Sequence, residues 1–315
     1  MNSLAFASAK FFDPARTAKG ERRASVSFKQ LETLWFNTGT LCNITCQNCY
    51  IESSPKNDRL VYLSFADVMT YLDEVRREGL PVKVIGFTGG EPFMNPDVIA
   101  ILEETLARGF ETLVLTNAMR PMMRHKEQLK TLAKTHGRLL RFRVSLDDHR
   151  ADVHDTERGK DSFAKAMEGL RFMSREGMQI EIAGRRLVDE PEASARAGYR
   201  ELFQREGIAV ECDDPVQLVI FPEMAADSDP PEITEACWSI LNKRPDDVMC
   251  ASSRMVVRRK DAISPTVLAC TLIAYDGRFE LGSTLKQAEV SVPLNHRSCA
   301  TFCVLGGAAC GVKKS

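Results

Sequence analysis

The sequence predicts an α/β fold, a partial (β/α)6 barrel of the TIM type followed by a Cys-rich C-terminal module. Three observations lead there. Six apolar runs alternate with amphipathic helical patterns between residues 33 and 225, as in parallel strands joined by helical crossovers. The ten cysteines are unevenly spread: three within Cys42–Cys49, none from there to Cys212, and seven from Cys212 onward. The 315 residues are 44% hydrophobic and 27% charged, ordinary for a globular chain with a substantial core.

The strands are expected at Thr33–Thr38, Val82–Thr88, Thr112–Thr116, Leu139–Leu146, Met178–Ala183 and Val216–Phe221. Ser64 is a good N-cap for a helix bearing Phe65, Val68, Met69, Leu72 and Val75, closed by Gly79. Asn95-Pro96 opens a second helix that runs to Gly109. A third spans about Arg124–His136, a fourth runs from Ser162 to Gly177, and a fifth from about Pro191 to Glu206. Six strands, the first five each followed by a helix, wind right-handedly into a parallel sheet. A flat doubly wound sheet is the alternative. The expected divisions are an N-terminal extension (1–32), the barrel (33–225) and the Cys-rich module (226–315).

Strand parity adds to this. Leu140, Phe142, Val144 and Leu146 share one face, and Arg141, Arg143, Ser145 and Asp147 the other. Ile180 and Ile182 likewise oppose Glu181 and Arg185. Apolar faces should meet outer helices, so polar faces should line an interior binding lumen. The competing reading leaves Arg141 and Arg143 in solvent at a strand end.

Lys plus Arg (42) nearly equals Asp plus Glu (43), so no charge bias points to nucleic acid or an anionic membrane. The basic stretch Arg120–Arg143 lacks interleaved aromatics and reads as a solvated helix face. No fixed-period repeat, signal-peptide pattern or membrane-length apolar run is visible, which favours a reducing cytoplasm. There, clustered cysteines bind metal or do chemistry more often than they form disulfides.

The first cluster is Cys42-Asn43-Ile44-Thr45-Cys46-Gln47-Asn48-Cys49, directly after the first strand. Three thiolates on one loop suit three irons of a 4Fe–4S cube, leaving the fourth iron for a ligand. A zinc site short of one ligand, or three unrelated thiols, are the alternatives. After the second strand comes Thr88-Gly89-Gly90-Glu91-Pro92, whose glycines permit close backbone approach. Both segments sit at C-terminal strand ends, where barrel active sites lie.

On these two motifs the chain resembles the radical S-adenosylmethionine (SAM) superfamily over about residues 33–225. Leu115-Thr116-Asn117-Ala118 departs from the family's usual Thr-Asn-Gly at Ala118. Val144-Ser145-Leu146-Asp147, with Val153–Gly159 after it, resembles a signature of the subgroup that includes peptide-modifying members. The resemblance implies that Gly89, Gly90 and Glu91 contact the SAM amino group. It implies that Ser145 and Asp147 meet the ribose or carboxylate, and that Arg158 pairs the carboxylate. It also implies reductive cleavage of SAM to a 5′-deoxyadenosyl radical that abstracts hydrogen from a substrate, driven by a reductant such as flavodoxin or ferredoxin.

The C-terminal cysteines surround Asp276-Gly277, a hairpin signal. This order resembles the SPASM or shorter twitch extensions of the superfamily, which bind auxiliary 4Fe–4S clusters, although the spacings are longer. The implied auxiliary iron–sulfur module holds one cluster, with four ligands drawn from Cys250, Cys270, Cys299, Cys303 and Cys310. A zinc knot is the rival. Cys212 and Cys237 read as ordinary buried thiols. The favoured function is a maturase acting on a peptide or protein, with a separate peptide-docking protein. A small-molecule enzyme and a non-catalytic cluster-bearing sensor or electron carrier are the other readings.

Overall fold

The computed structural model describes residues 10–186, 190–222 and 229–306. After a short strand β1 (Ser25–Val26), six strands lie side by side in chain order: β2 (Thr33–Asn37), β3 (Val84–Thr88), β4 (Glu111–Thr116), β5 (Leu140–Ser145), β6 (Gln179–Arg186) and β7 (Leu218–Pro222). All five pairings between them are parallel. A doubly wound sheet reverses its strand order at a switch point. This sheet has no reversal, so right-handed crossovers bring the helices to one face.

The crossovers carry α1 (Phe65–Arg77), α2 (Val98–Ala107), α3 (Arg120–Met123), α4 (Lys126–His136), α5 (Ala151–Arg158), α6 (Ser162–Arg175) and α7 (Glu192–Glu206). Helix α1 begins in a capping box: the Asp67 N–H donates to the Ser64 hydroxyl while the Ser64 N–H donates to the Asp67 carboxylate. Gly79, Gly109, Gly177 and Gly207 adopt positive φ just beyond helix ends, where the sequence places stops. Helix α5 was not expected; it is short and polar, with only His154 buried. Among the described residues no helix is long and apolar enough to cross a membrane.

Alternation along the strands separates two faces. Leu34, Phe36, Phe87, Val114 and Phe142 pack with the helices, while Trp35, Val84 and Leu113 face inward. The inward face turns polar at β5 and β6. Arg143, 2% exposed, lies 2.7 Å from the Glu181 carboxylate, which also pairs with Arg141 at 3.0 Å. Arg143 faces an interior, whereas Arg141, at the start of β5, is partly exposed and also meets the exposed Glu111 at 3.3 Å.

The C-terminal segment extends this sheet. Strand β8 (Ser253–Val257) runs parallel beside β2, and β9 (Thr266–Leu268) and β10 (Glu280–Gly282) follow antiparallel. Asp276-Gly277 lies in the connection between β9 and β10, which pair antiparallel as a hairpin with a long loop. The Asp276 carboxylate accepts from the Arg278 N–H and caps a single 3-10 turn, Gly277–Phe279; the paired strands are β9 and β10. Strand β11 (Val292–Pro293) pairs with β1, so Ala24 and Val26 join the C-terminal core with Ile233, Val248 and Val292.

Gly86 on β3 lies under the Trp35 ring; a Cβ there would sit 2.3 Å from it. The Gly86→Ala variant is expected to lose about 1–3 kcal/mol of stability through overpacking. The measurement is a lower denaturant midpoint at unchanged slope. An unchanged midpoint would mean the ring has room to move aside.

Candidate active site

The loop after β2 and the turn after β3 meet backbone to backbone. The Gly90 N–H donates to the Gly39 carbonyl (2.8 Å) and the Glu91 N–H to the Leu41 carbonyl (3.1 Å). A Cβ on Gly90 would fall 2.1 Å from the Leu41 oxygen, and one on Gly89, whose φ is +136°, 2.4 Å from the Gly39 oxygen. Only glycine fits at either place. Thr40 anchors the loop further, its hydroxyl donating to the Leu60 and Asn57 carbonyls.

Held this way, Cys42, Cys46 and Cys49 line a cavity of about 1120 Å³, including its open mouth. Gly89, Gly90, Asn117, Ser145, Asp147 and Arg158 line the same cavity. Burial pushes the Cys42 thiol up to about 12, and Glu91, Cys46 and Cys49 add to the rise. Burial also raises Cys46, against the pull of Arg158. Cys49 accepts from the Ser53 N–H at 3.2 Å. Among the described residues no three His, Cys, Asp or Glu side chains converge to hold a single ion. Three thiols spread along one cavity wall suit a cluster, whose irons each take one thiolate.

Asp147 and Arg158 meet each other in this cavity. The guanidinium donates twice, Nε and Nη2 to the two carboxylate oxygens at 2.8 and 2.9 Å, and Arg185 approaches the same carboxylate at 3.4 Å. Burial opposes the charge on Asp147, but the two arginines outweigh it and hold its pKa below the ordinary value. Burial likewise opposes the charge on Arg158; Asp147 and the thiols of Cys46 and Cys49 more than offset it. Buried His154 accepts from the Asp147 N–H at 3.2 Å, and burial, with Arg158 beside it, lowers its pKa to about 4, so the ring is neutral.

Glu91 does not line the cavity. Its carboxylate turns into the fold and accepts from the Phe93 N–H (3.2 Å), the Thr116 hydroxyl (2.8 Å) and the Asn117 N–H (2.8 Å), tying the β3 turn to the end of β4. Asn117 then reaches back, donating to Asn43 on the cysteine loop at 2.9 Å. Ala118, where the family's glycine is usual, has φ +57°. That left-handed backbone costs an L-residue roughly 1–2 kcal/mol.

The far wall was not foreseen as part of this site. Phe302 packs edge-on against Tyr50 at 5.7 Å and stacks on Phe221 at 5.3 Å, and Arg185 sits over the Tyr50 ring at 5.1 Å. Thr271 and Leu272 join them. Adjacency was the available signal: Tyr50 follows Cys49, Thr271 follows Cys270, and Phe302 precedes Cys303.

A second, smaller cavity is lined by Cys250, Cys270, Cys299 and Cys303 among apolar neighbours that include Val248, Ile273, Phe279 and Leu294. Cys299 and Cys303 lie on one π-helical stretch, Cys299–Leu305. Burial pushes the Cys250 thiol up to about 11 and the Cys299 thiol to about 12. Cys310 lies outside the described residues. Cys212 is buried in the main core between sheet and helices, while Cys237 packs half-buried against the C-terminal core; neither lines the second cavity.

Burial raises the Glu91 carboxyl to about 7, although its three donors favour the charged form. A carboxyl with a raised folded pKa contributes stability below its unfolded pKa and loses it as pH rises through the folded one. Raising pH from about 4.5 to about 7 should therefore cost the metal-free protein on the order of 3 kcal/mol through this group, at 1.36 kcal/mol per unit. Glu91→Gln should lack that component in denaturation at the two pH values; equal pH dependence in both proteins would rule it out.

Residues 36–188 match the profile of the radical SAM superfamily. The antilisterial bacteriocin subtilosin biosynthesis protein AlbA of Bacillus subtilis (strain 168) is 34% identical over 143 residues, 45% of this chain and 30% of that protein. An AdoMet-dependent heme synthase of Oleidesulfovibrio alaskensis is 24% identical over 45% of this chain and 34% of its own. The matches thus span about a third of each relative's length. Among solved structures, Streptococcus suis SuiB superposes with a TM-score of 0.59 at 11% identity, covering 90% of this chain and 73% of that one, a likeness of fold. The profile match begins inside β2 and ends just past β6, taking in the cysteine loop, the glycine turn and the Asp147–Arg158 pair; this part of the chain is a radical SAM domain.

Proposed function

We propose that the chain binds SAM and a 4Fe–4S cluster in the larger cavity and modifies a peptide or protein substrate. The observation that carries this reading is one continuous cavity lined by the three thiols, the glycine turn and Arg158 together with Tyr50, Phe221 and Phe302. When bound, the cluster and SAM supply a 5′-deoxyadenosyl radical that removes a hydrogen atom from the substrate. The protein's own part is to hold and orient. Cys42, Cys46 and Cys49 are the cluster ligands. The Gly89–Gly90 backbone faces the SAM amino group, with Glu91 fixing the turn from behind. Arg158 takes the SAM carboxylate, Asp147 sets the guanidinium's orientation, and Ser145 faces the ribose. The aromatic wall shields the reacting atoms from water.

The similarity to AlbA supports a peptide substrate. The similarity to a heme synthase favours a second reading, a small-molecule substrate. The proposal also assigns Cys250, Cys270, Cys299 and Cys303 as the four ligands of one auxiliary 4Fe–4S cluster, because all four border one cavity. A one-electron reductant of the flavodoxin or ferredoxin class completes the system.

Anaerobically reconstituted protein given dithionite and SAM is expected to yield 5′-deoxyadenosine; none from an intact, reduced cluster would overturn the radical reading. Changing Cys42, Cys46 and Cys49 together to Ala should abolish cleavage yet leave about four irons, the content of one cube. Zinc in their place would make the C-terminal module a structural knot.

Arg158→Ala should weaken SAM binding about tenfold to a hundredfold, the equivalent of a charge-assisted hydrogen bond of about 1.5–3 kcal/mol. Iron content should not change. Unchanged affinity, measured by equilibrium binding, would confine Arg158 to holding Asp147.

A further inference from the structure

Among the described residues, the buried arginines are neutralised by carboxylates, with one exception. Arg143 pairs with Glu181, Arg158 with Asp147, and Arg23 with Glu232. Arg254 on β8 is 1% exposed and has no such partner among the described residues. Its guanidinium donates only to carbonyls: Nε to Ala288 (2.8 Å), Nη1 to Cys250 (2.6 Å) and Ser253 (2.7 Å), and Nη2 to Val290 (3.0 Å). The Phe28 ring lies against it at 4.4 Å.

Carbonyl dipoles satisfy the N–H groups but leave a net positive charge in the interior, which is costly without an anion. Through Nη1 the guanidinium is hydrogen-bonded to the Cys250 carbonyl, and the thiol of that residue borders the second cavity and would act on Arg254 if charged. A thiol is neutral. A thiolate set bound to an iron–sulfur core is anionic, and gains one further negative charge on reduction.

We propose that Arg254 is the counter-cation of the metal–thiolate centre held by Cys250, Cys270, Cys299 and Cys303, and that it raises that centre's reduction potential. The proposal rests on the auxiliary-cluster reading above. The step it governs adds one electron, from dithionite or a one-electron protein reductant, to the oxidised centre; no bond forms or breaks. A fixed positive charge nearby favours the more negative, reduced form, since net charge is one determinant of cluster potential. It also couples folding to loading, because the charge is balanced only when metal is bound. Arg254 is a positioning residue in this scheme and does not touch substrate.

The test uses the full chain with Cys42, Cys46 and Cys49 changed to Ala, so that only the C-terminal centre is read by EPR in a redox titration. Arg254→Gln is expected to lower the reduced-to-oxidised ratio at a fixed potential about tenfold, which is 59 mV for one electron. Arg254→Lys, which keeps the charge, should stay within about threefold of the parent. The gap in thermal midpoint between loaded and chelator-stripped protein should shrink in Arg254→Gln and persist in Arg254→Lys. That difference cancels the hydrogen bonds lost in both forms. Should Arg254→Gln not fold, Phe28→Glu sets a carboxylate over the intact guanidinium and should shift the ratio in the same direction. An unchanged ratio in either folded, iron-loaded variant overturns the proposal, as does a Lys variant that falls as far as Gln. Absence of iron from the parent with Arg254 intact overturns the auxiliary-cluster reading instead, and this proposal with it.

Discussion

The site depends on two stretches of backbone approaching with no side chain between them. Strands β2 and β3 are paired in parallel to their last residues, Asn37 opposite Thr88, so the cysteine loop and the glycine turn leave the sheet at one level. Carbonyls of Gly39 and Leu41 then lie where a Cβ of Gly89 or Gly90 would stand. Any other residue would drive the loop away from the turn and move the cysteine wall relative to the opposing polar groups. The buried hydrogen bonds of Glu91, Asn117 and Asn43 brace the same junction from behind, linking three consecutive strand ends into one unit.

Charge on the inward face of the sheet follows a different logic. Buried ion pairs such as Arg143–Glu181 add little net stability, because desolvation offsets their attraction; an apolar filling would be at least as stable. They keep the interior polar and open where Trp35 and Leu113 would otherwise continue a dry core. Asp147 accepts from Arg158 while lying near Arg185, and a neutral His154 backs its amide. The guanidinium of Arg158 is thereby fixed beside the thiols of Cys46 and Cys49 before any ligand arrives, and preorganised donors lose less entropy on binding.

Much of this was legible because it is local. Period-two alternation on β5 and β6 assigned Arg143 and Glu181 to the inward face, and helix-ending glycines were readable as stops. The cysteine loop and glycine turn were contiguous motifs. What was missed is either weakly patterned or long-range. Helix α5 buries only His154, so no apolar stripe announces it. Strand β8 pairs with β2 across more than two hundred residues, and no local pattern encodes that register. Asp276-Gly277 carried a hairpin signal and does lie between the paired β9 and β10, but the Asp276 side chain caps a helical turn within a long connection rather than forming a two-residue turn, since the same residue type serves both. Glu91 showed a motif identity without the direction of its side chain, which only the neighbouring strand end sets.

The C-terminal segment links the two cavities. Cys270 borders the smaller one, while Thr271 and Leu272 border the larger; on the π-helical stretch, Cys299 and Cys303 face the smaller cavity and Phe302 the larger. Successive residues of the same short segments therefore serve opposite sides of one thin wall. Phe302, which lies between Cys299 and Cys303 in sequence, is held on the larger cavity by Tyr50 and Phe221. A metal–thiolate core in the second cavity, as proposed, would anchor this segment at Cys299 and Cys303, the residues that flank Phe302 in sequence.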